Sequence, residues 1–184
     1  ARIDALADGI VACVGLDNIA VVELLPEQYN GLYDTFKGQG KNLNHLLAKG
    51  HATVIAALVR KSPVLAALDP MNGQPAGQGA LLRVVVDRFG HERYMRDALP
   101  KELAPRLQLI QVPRAEANIA VAAASVVARY KFVQNVKTLG DGIGDRLPLG
   151  AGPPVTQAAR ALVRIHGPAI LDKVAKKHFK TTLE

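Results

Sequence analysis

Cysteine is nearly absent from this chain. The single thiol, Cys13, excludes an internal disulfide and a cysteine cluster for zinc, and its place on an apolar helical face reads as plain packing. Long apolar runs are missing too. Stretches such as Val54 to Val59 and Ala117 to Val127 are too short, too rich in alanine or too soon interrupted by Lys61 and Arg129 to cross a bilayer, which takes about 20 apolar residues. No signal peptide or lipidation motif is legible. The histidines at 45, 51, 91, 166 and 178 lack HExxH spacing, and neither a GxSxG elbow nor a GxxxxGKS/T loop occurs. His45 and His51 lie six apart on one helix and face different ways, which argues against shared metal ligation.

Acidic residues are the minority charge, 16 Asp and Glu against 23 Lys and Arg, for a net +7 with histidines neutral. That balance favours encounter with phosphate-rich partners without specifying one. With 49% hydrophobic and 21% charged residues in 184, the chain can bury a real core and reads as one α/β domain.

Apolar residues at helical spacing run from Ile3 to Val14 and stop at Gly15, Ile19 to Leu25 reads as a strand, and Pro26 opens a short helix that Gly38 and Gly40 end. Asn42 to Arg60 forms a long amphipathic helix, followed by a loop containing Gly73, Pro75, Gly77 and Gly79. The β-branched run Leu81 to Val86 predicts a buried strand ended by Asp87, and Leu107 to Val112 predicts the next one. Between them, a helix around Glu92 to Leu99 is closed by Pro100. An alanine-rich helix from about Asn118 to Leu139, a loop from Asp141 to Pro154, and helices over Val155 to Ile165 and Pro168 to Phe179 complete the chain. Gly140, Gly142 and Gly144 superficially resemble a phosphate-binding run, but they precede a proline-rich loop instead of following a strand.

Two acids stand out. Asp87 occupies the carboxyl end of a buried strand, where open α/β sheets place functional groups, and reads either as such a group or as a turn or helix cap. Glu116 precedes the alanine-rich stretch RAEANIAVAAASVVARYKF and reads either as a metal ligand or as a first-turn residue favoured by the helix dipole. Brought together, two carboxylates suit a hard cation such as magnesium or manganese. Two-metal phosphodiester hydrolysis requires more such ligands, and Asp17 and Asp69 are only loop residues.

Three separated segments, LLPEQYNGLYDTFKGQGKNLNHLLAKGHATVIAAL, RVVVDRF, and RAEANIAVAAASVVARYKF followed by LPLGAG and VAKKHFKTT, resemble ribonuclease HIII in order and interval. The ASVVAR helix is also similar to ribonuclease HII, while the NLN and GHA elements and the final KKHFKTT favour the HIII branch. The resemblance implies a ribonuclease H-like α/β fold, a mixed sheet flanked by helices, in a cytoplasmic enzyme. It further implies magnesium- or manganese-dependent endonucleolytic cleavage of the RNA strand of an RNA/DNA hybrid, with no membrane and no obligate protein partner. In that pattern Asp87 and Glu116 match the third and fourth acids of a four-carboxylate cluster. The DEVGKG-like motif carrying the first two is not in these residues. Residues 1–184 are therefore expected to be an N-terminally incomplete catalytic domain that folds poorly alone, or a degenerate module that binds hybrids without cutting them.

The remaining site residues also come from the resemblance. Asn44 resembles a residue that meets the nucleic-acid backbone, with a helix-start hydrogen bond as the other reading, and Arg129 resembles a basic residue near the site, with a structural ion pair as the other. Ser125 reads as a ligand or as a small residue permitting close helix packing; Lys177, His178 and Lys180 read as phosphate contacts or a solvated helical end. A hybrid would be recognised by shape, phosphates and 2′-hydroxyls, with little sequence preference.

Overall fold

A computed structural model of the chain describes residues 2–63, 65 and 82–179. The loop expected around Gly73 to Gly79, the start of the strand at Leu81, Asp69 and Lys180 lie outside the described residues. The chain divides into two compact units, Ala1–Val22 with Asn42–Ala128, and Glu23–Lys41 with Arg129–Glu184.

The first unit holds the sheet. β1 (Leu82–Asp87) pairs in parallel with β2 (Leu107–Val112), in a register that sets Leu82 beside Leu107 and Asp87 beside Val112. Parallel neighbours need a crossover, and the short helix α4 (Arg93–Ala98) lies within it. Helix α3 (Leu43–Lys61) buries Ala48, Ala52 and Ala56, one residue per turn along a single stripe. Small side chains there let the helix backbone come close to its neighbours. The resulting core joins Ala52 and Ala56 to Leu99, Leu103 and Leu107, and Ala48 to Val86 and Met95, with Met95 fully buried. Helix α1 (Arg2–Val14) ends as expected, with Gly15 at φ 79° and its N–H on the Val11 carbonyl.

Several expectations change in this unit. Ile19 to Leu25 is not a strand: no described strand lies alongside to complete its ladder, and the Lys61 ammonium takes the carbonyls of Leu16 and Ile19 instead. Cys13 is exposed, so it is not a packing residue. The small-residue stripe that packs closely belongs to α3. The alanine-rich helix α5 (Ile119–Ile143) leaves Ala120, Ala124 and Ser125 exposed, and its first residue Ile119 is 86% exposed. The α/β class with flanking helices stands, helices dominate, and the described sheet has two parallel strands.

In the second unit, α2 (Pro26–Gly38) carries Asn30, which holds the C-terminal segment from three directions. Its amide donates to the carbonyls of Ala175 at 2.9 Å and Asp172 at 3.4 Å, and its oxygen accepts the Lys177 N–H at 3.0 Å. The helix expected over Pro168 to Phe179 is consequently short. Only α7 (Ile170–Val174) forms, and Ala175 turns extended, because Asn30 competes for the groups that would continue the helix. Helix α6 (Pro153–His166) precedes it and buries Leu162. The tail continues into a ring cluster in which His178 stacks on Tyr33 at 4.5 Å and lies 5.4 Å from buried Tyr29.

Gly140 and Gly142 lie in the last turns of α5, so the glycine run forms no phosphate-cradling loop after a strand. Gly140 has a packing role instead. A Cβ there would stand 2.5 Å from the Asp145 carbonyl oxygen, which belongs to the backbone segment whose N–H bonds back to Gly140 at 3.0 Å. Gly140→Ala gains about 1 kcal/mol in helix propensity. Forcing that turn apart costs about 1–3 kcal/mol, so the variant should be net destabilised, as urea unfolding of the complete protein will measure. Equal or higher stability would mean the turn yields freely.

Candidate functional site

Asp87 ends β1 with its side chain exposed. One residue past its partner Val112, the chain enters Pro113 and then Arg114, which adopts left-handed backbone angles, φ 54° and ψ 46°. A non-glycine residue in that region costs about 1–3 kcal/mol and persists where its surroundings determine it. Here the turn delivers the N–H of buried Ala115 to the Asp87 carboxylate, at 3.3 Å. Glu116 is the next residue, in a 3-10 turn over Ala115–Ala117, with its side chain exposed. The adjacent ends of two parallel strands thus place Asp87 against the turn that carries Glu116.

Glu116 is not in the first turn of α5. The cap is Asn118, whose side-chain oxygen accepts the Ala120 N–H at 2.9 Å and whose carbonyl accepts from Ala122. Glu116 is therefore free of the capping role, a distinction the sequence signalled through asparagine directly before Ile119. Asp87 likewise caps no helix: α4 begins at Arg93. Its carboxylate instead accepts from the Ala115 backbone, a contact that no sequence pattern announces.

Asn44 lies in the same unit, in the first turn of α3. Its N–H bonds to Asn42 Oδ1 at 3.1 Å, while its side-chain amide packs so closely on Gly90 that a Cβ there would stand 2.9 Å from Nδ2. The segment leaving Asp87 is thereby seated on α3 twice, at Gly90 on Asn44 and at Phe89, which stacks on His51 at 5.4 Å. Ser125 is exposed and donates its hydroxyl to the Val121 carbonyl at 2.9 Å, so it does not serve close helix packing.

The other residues belong to the second unit. Arg129 is exposed, with its guanidinium over the Phe132 ring at 5.2 Å and no ion pair among the described residues. Lys177 pairs with Asp172 at 2.7 Å, a hydrogen bond that raises its pKa. Burial, with Lys176 nearby, lowers the pKa of His178. A cavity of about 740 Å3 in this unit is lined by Lys137, Gly140, Asp141 and Arg146 among others.

In kind, Asp87 and Glu116 fit a hard dication: both are exposed carboxylates, and the one hydrogen bond that Asp87 accepts, from the Ala115 N–H beside Glu116, leaves lone pairs available. In number they are half a site, since no group of three His, Cys, Asp or Glu that could hold a metal occurs among the described residues.

The family model for ribonuclease HII matches residues 29–182, and the chain belongs to that family. Its curated relatives are named ribonuclease HIII. The protein from Chlamydia pneumoniae is 40% identical over 162 residues, 88% of this chain and 47% of that protein. The one from Chlamydia muridarum is 37% identical over 185 residues, 100% of this chain and 54% of that protein. Among solved structures, Bst-RNase HIII in complex with Mn2+ superposes with a TM-score of 0.72 at 28% identity, covering 98% of this chain and 53% of that one. The chain thus spans about half the length of the curated relatives it matches. No helix among the described residues is long and apolar enough to cross a membrane.

Proposed function

We propose that the complete protein is an endonuclease that hydrolyses the RNA strand of RNA/DNA hybrids with magnesium or manganese, and that residues 1–184 serve in it as one ribonuclease H-like catalytic domain. The observation that carries this reading is the joining of Asp87 to the turn bearing Glu116 through the Ala115 N–H, in a chain of the ribonuclease HII family. These two acids would hold the cation together with further oxygen ligands. When bound, such a metal makes water a stronger nucleophile and offsets charge on the phosphodiester. The chain's own contribution is placement: parallel register and the Arg114 turn set the backbone positions from which both acids would reach the cation.

Asn44 and Ser125 in the first unit, and Arg129, Lys177, His178 and Lys180 beyond it, are assigned to the nucleic-acid surface in this reading. The net charge of +7 supports attraction to a polyanion. The partner is a hybrid duplex, no obligate protein partner is invoked, and the compartment is the cytoplasm.

The test is cleavage of an end-labelled hybrid by the complete protein with magnesium, manganese or chelator. Metal-dependent RNA fragments ending in a 3′-hydroxyl, with the DNA strand intact, are expected. Salt-sensitive hybrid binding without cleavage under either metal would identify a binding module instead, and neither binding nor cleavage would overturn both readings.

A further inference from the structure

The Tyr94 hydroxyl accepts a hydrogen bond from a side-chain amide. Asn42 caps α3: its Oδ1 accepts the Asn44 N–H at 3.1 Å, which fixes the amide orientation and turns Nδ2 towards Tyr94, where it donates to Oη at 3.2 Å. Arg93 stands with its guanidinium 5.4 Å from the Tyr94 ring and has no ion pair among the described residues. An oxygen that accepts from the protein directs its own hydrogen elsewhere, and no acceptor for it is found among the described residues. Hydrogen bonds from Asn42, Arg93 and Asn44 also lower the pKa of the phenol, which strengthens it as a donor.

The ring is tied through the core to the strand end that carries Asp87. The Tyr94 ring packs on the cluster of Ala48, Val86 and Met95 together with Phe89, so the residues either side of Asp87 and the body of Tyr94 share one cluster. His45 meets the ring edge-on at 4.7 Å, and a Cβ at Gly90 would touch Tyr94 Cδ2 at 3.2 Å. The ring is held on several sides while its edge stays half-exposed beside the cationic Arg93.

We propose that the Tyr94 hydroxyl donates a hydrogen bond to a phosphodiester oxygen of the nucleic acid bound at Asp87 and Glu116. A phosphate oxygen satisfies the two demands of the site, an acceptor for the phenol and a negative charge for Arg93. The inference rests on the hybrid-binding reading above and adds a backbone contact to it.

Tyr94→Phe keeps the ring in its cluster and removes only the hydroxyl. In metal-free binding of a hybrid by the complete protein, Kd should rise about tenfold, as for loss of one hydrogen bond to a charged acceptor. Asn42→Ser keeps a helix cap but removes the donor that orients Oη, so its Kd should rise too, by clearly less than for Tyr94→Phe. Replacing single phosphates by neutral methylphosphonates should reveal one linkage where the substitution weakens wild type but not Tyr94→Phe. Wild-type affinity in Tyr94→Phe, an equal loss in Asn42→Ser, or additivity at every linkage would overturn the contact while leaving the nuclease reading intact. Failure of the wild-type protein to bind hybrid would overturn both.

Discussion

Asp87→Asn is expected to bind an RNA/DNA hybrid about as well as the parent and cut it on the order of a thousand times more slowly, as when a site loses its hold on the cation that stabilises developing charge. Asparagine matches aspartate in volume, and its side-chain oxygen can still accept the Ala115 N–H, so the turn that carries Glu116 is retained. What disappears is one negative charge at the end of β1. In the proposed reading, binding depends on the basic surface and is untouched by that change, which separates the two readouts. Single-turnover cleavage and equilibrium binding of the complete protein should be measured side by side. Turnover within a few-fold of wild type would remove Asp87 from the chemistry, and a parallel loss of binding would make its role structural.

Met95→Ala is the largest stability effect expected in the first unit. Met95 is 0% exposed and contacts Ala48 of α3 and Val86 of β1, residues whose small or branched side chains cannot expand into the space it vacates. Truncation of such a side chain costs about 2–5 kcal/mol. For a chain of this size each kcal/mol lowers Tm by about 2–4 °C, so thermal unfolding should shift down by roughly 5–20 °C. Met95→Leu conserves volume and should cost less than about 1.5 kcal/mol. An alanine variant as stable as the leucine variant would show that Met95 does not bridge helix and strand.

Local patterns were readable where the physics is local. Leu107 to Val112 carries apolar residues at 107, 109, 110 and 112 and forms the strand it suggests, and Asp87 ends the preceding strand as its position implies. Ile19 to Leu25 has the same apolar character but no ladder, since strand formation depends on a neighbour that composition does not reveal. The alanines at 48, 52 and 56 recur once per turn and pack α3 closely, whereas the denser alanine run after Glu116 leaves Ala120 and Ala124 exposed, so alanine content alone does not mark the packed face. Pairing of the two acids required parallel register and a left-handed arginine, neither legible from residue types. Asn30 is the clearest long-range case: it meets Ala175 and Lys177 across nearly the whole sequence and shortens a helix that periodicity extends.

The Arg114 turn makes tolerance to insertion unequal along the chain. An extra residue between exposed Lys101 and Glu102 lengthens only a surface connection, and the ladder can keep Asp87 beside Val112. An extra residue between Val112 and Ala115 changes the arc of the turn itself and withdraws the N–H from Asp87, leaving both acids present but no longer coordinated in space. Length variation in descendants of this chain is therefore confined by geometry: the crossover can drift, while the few bonds after β2 act as a ruler.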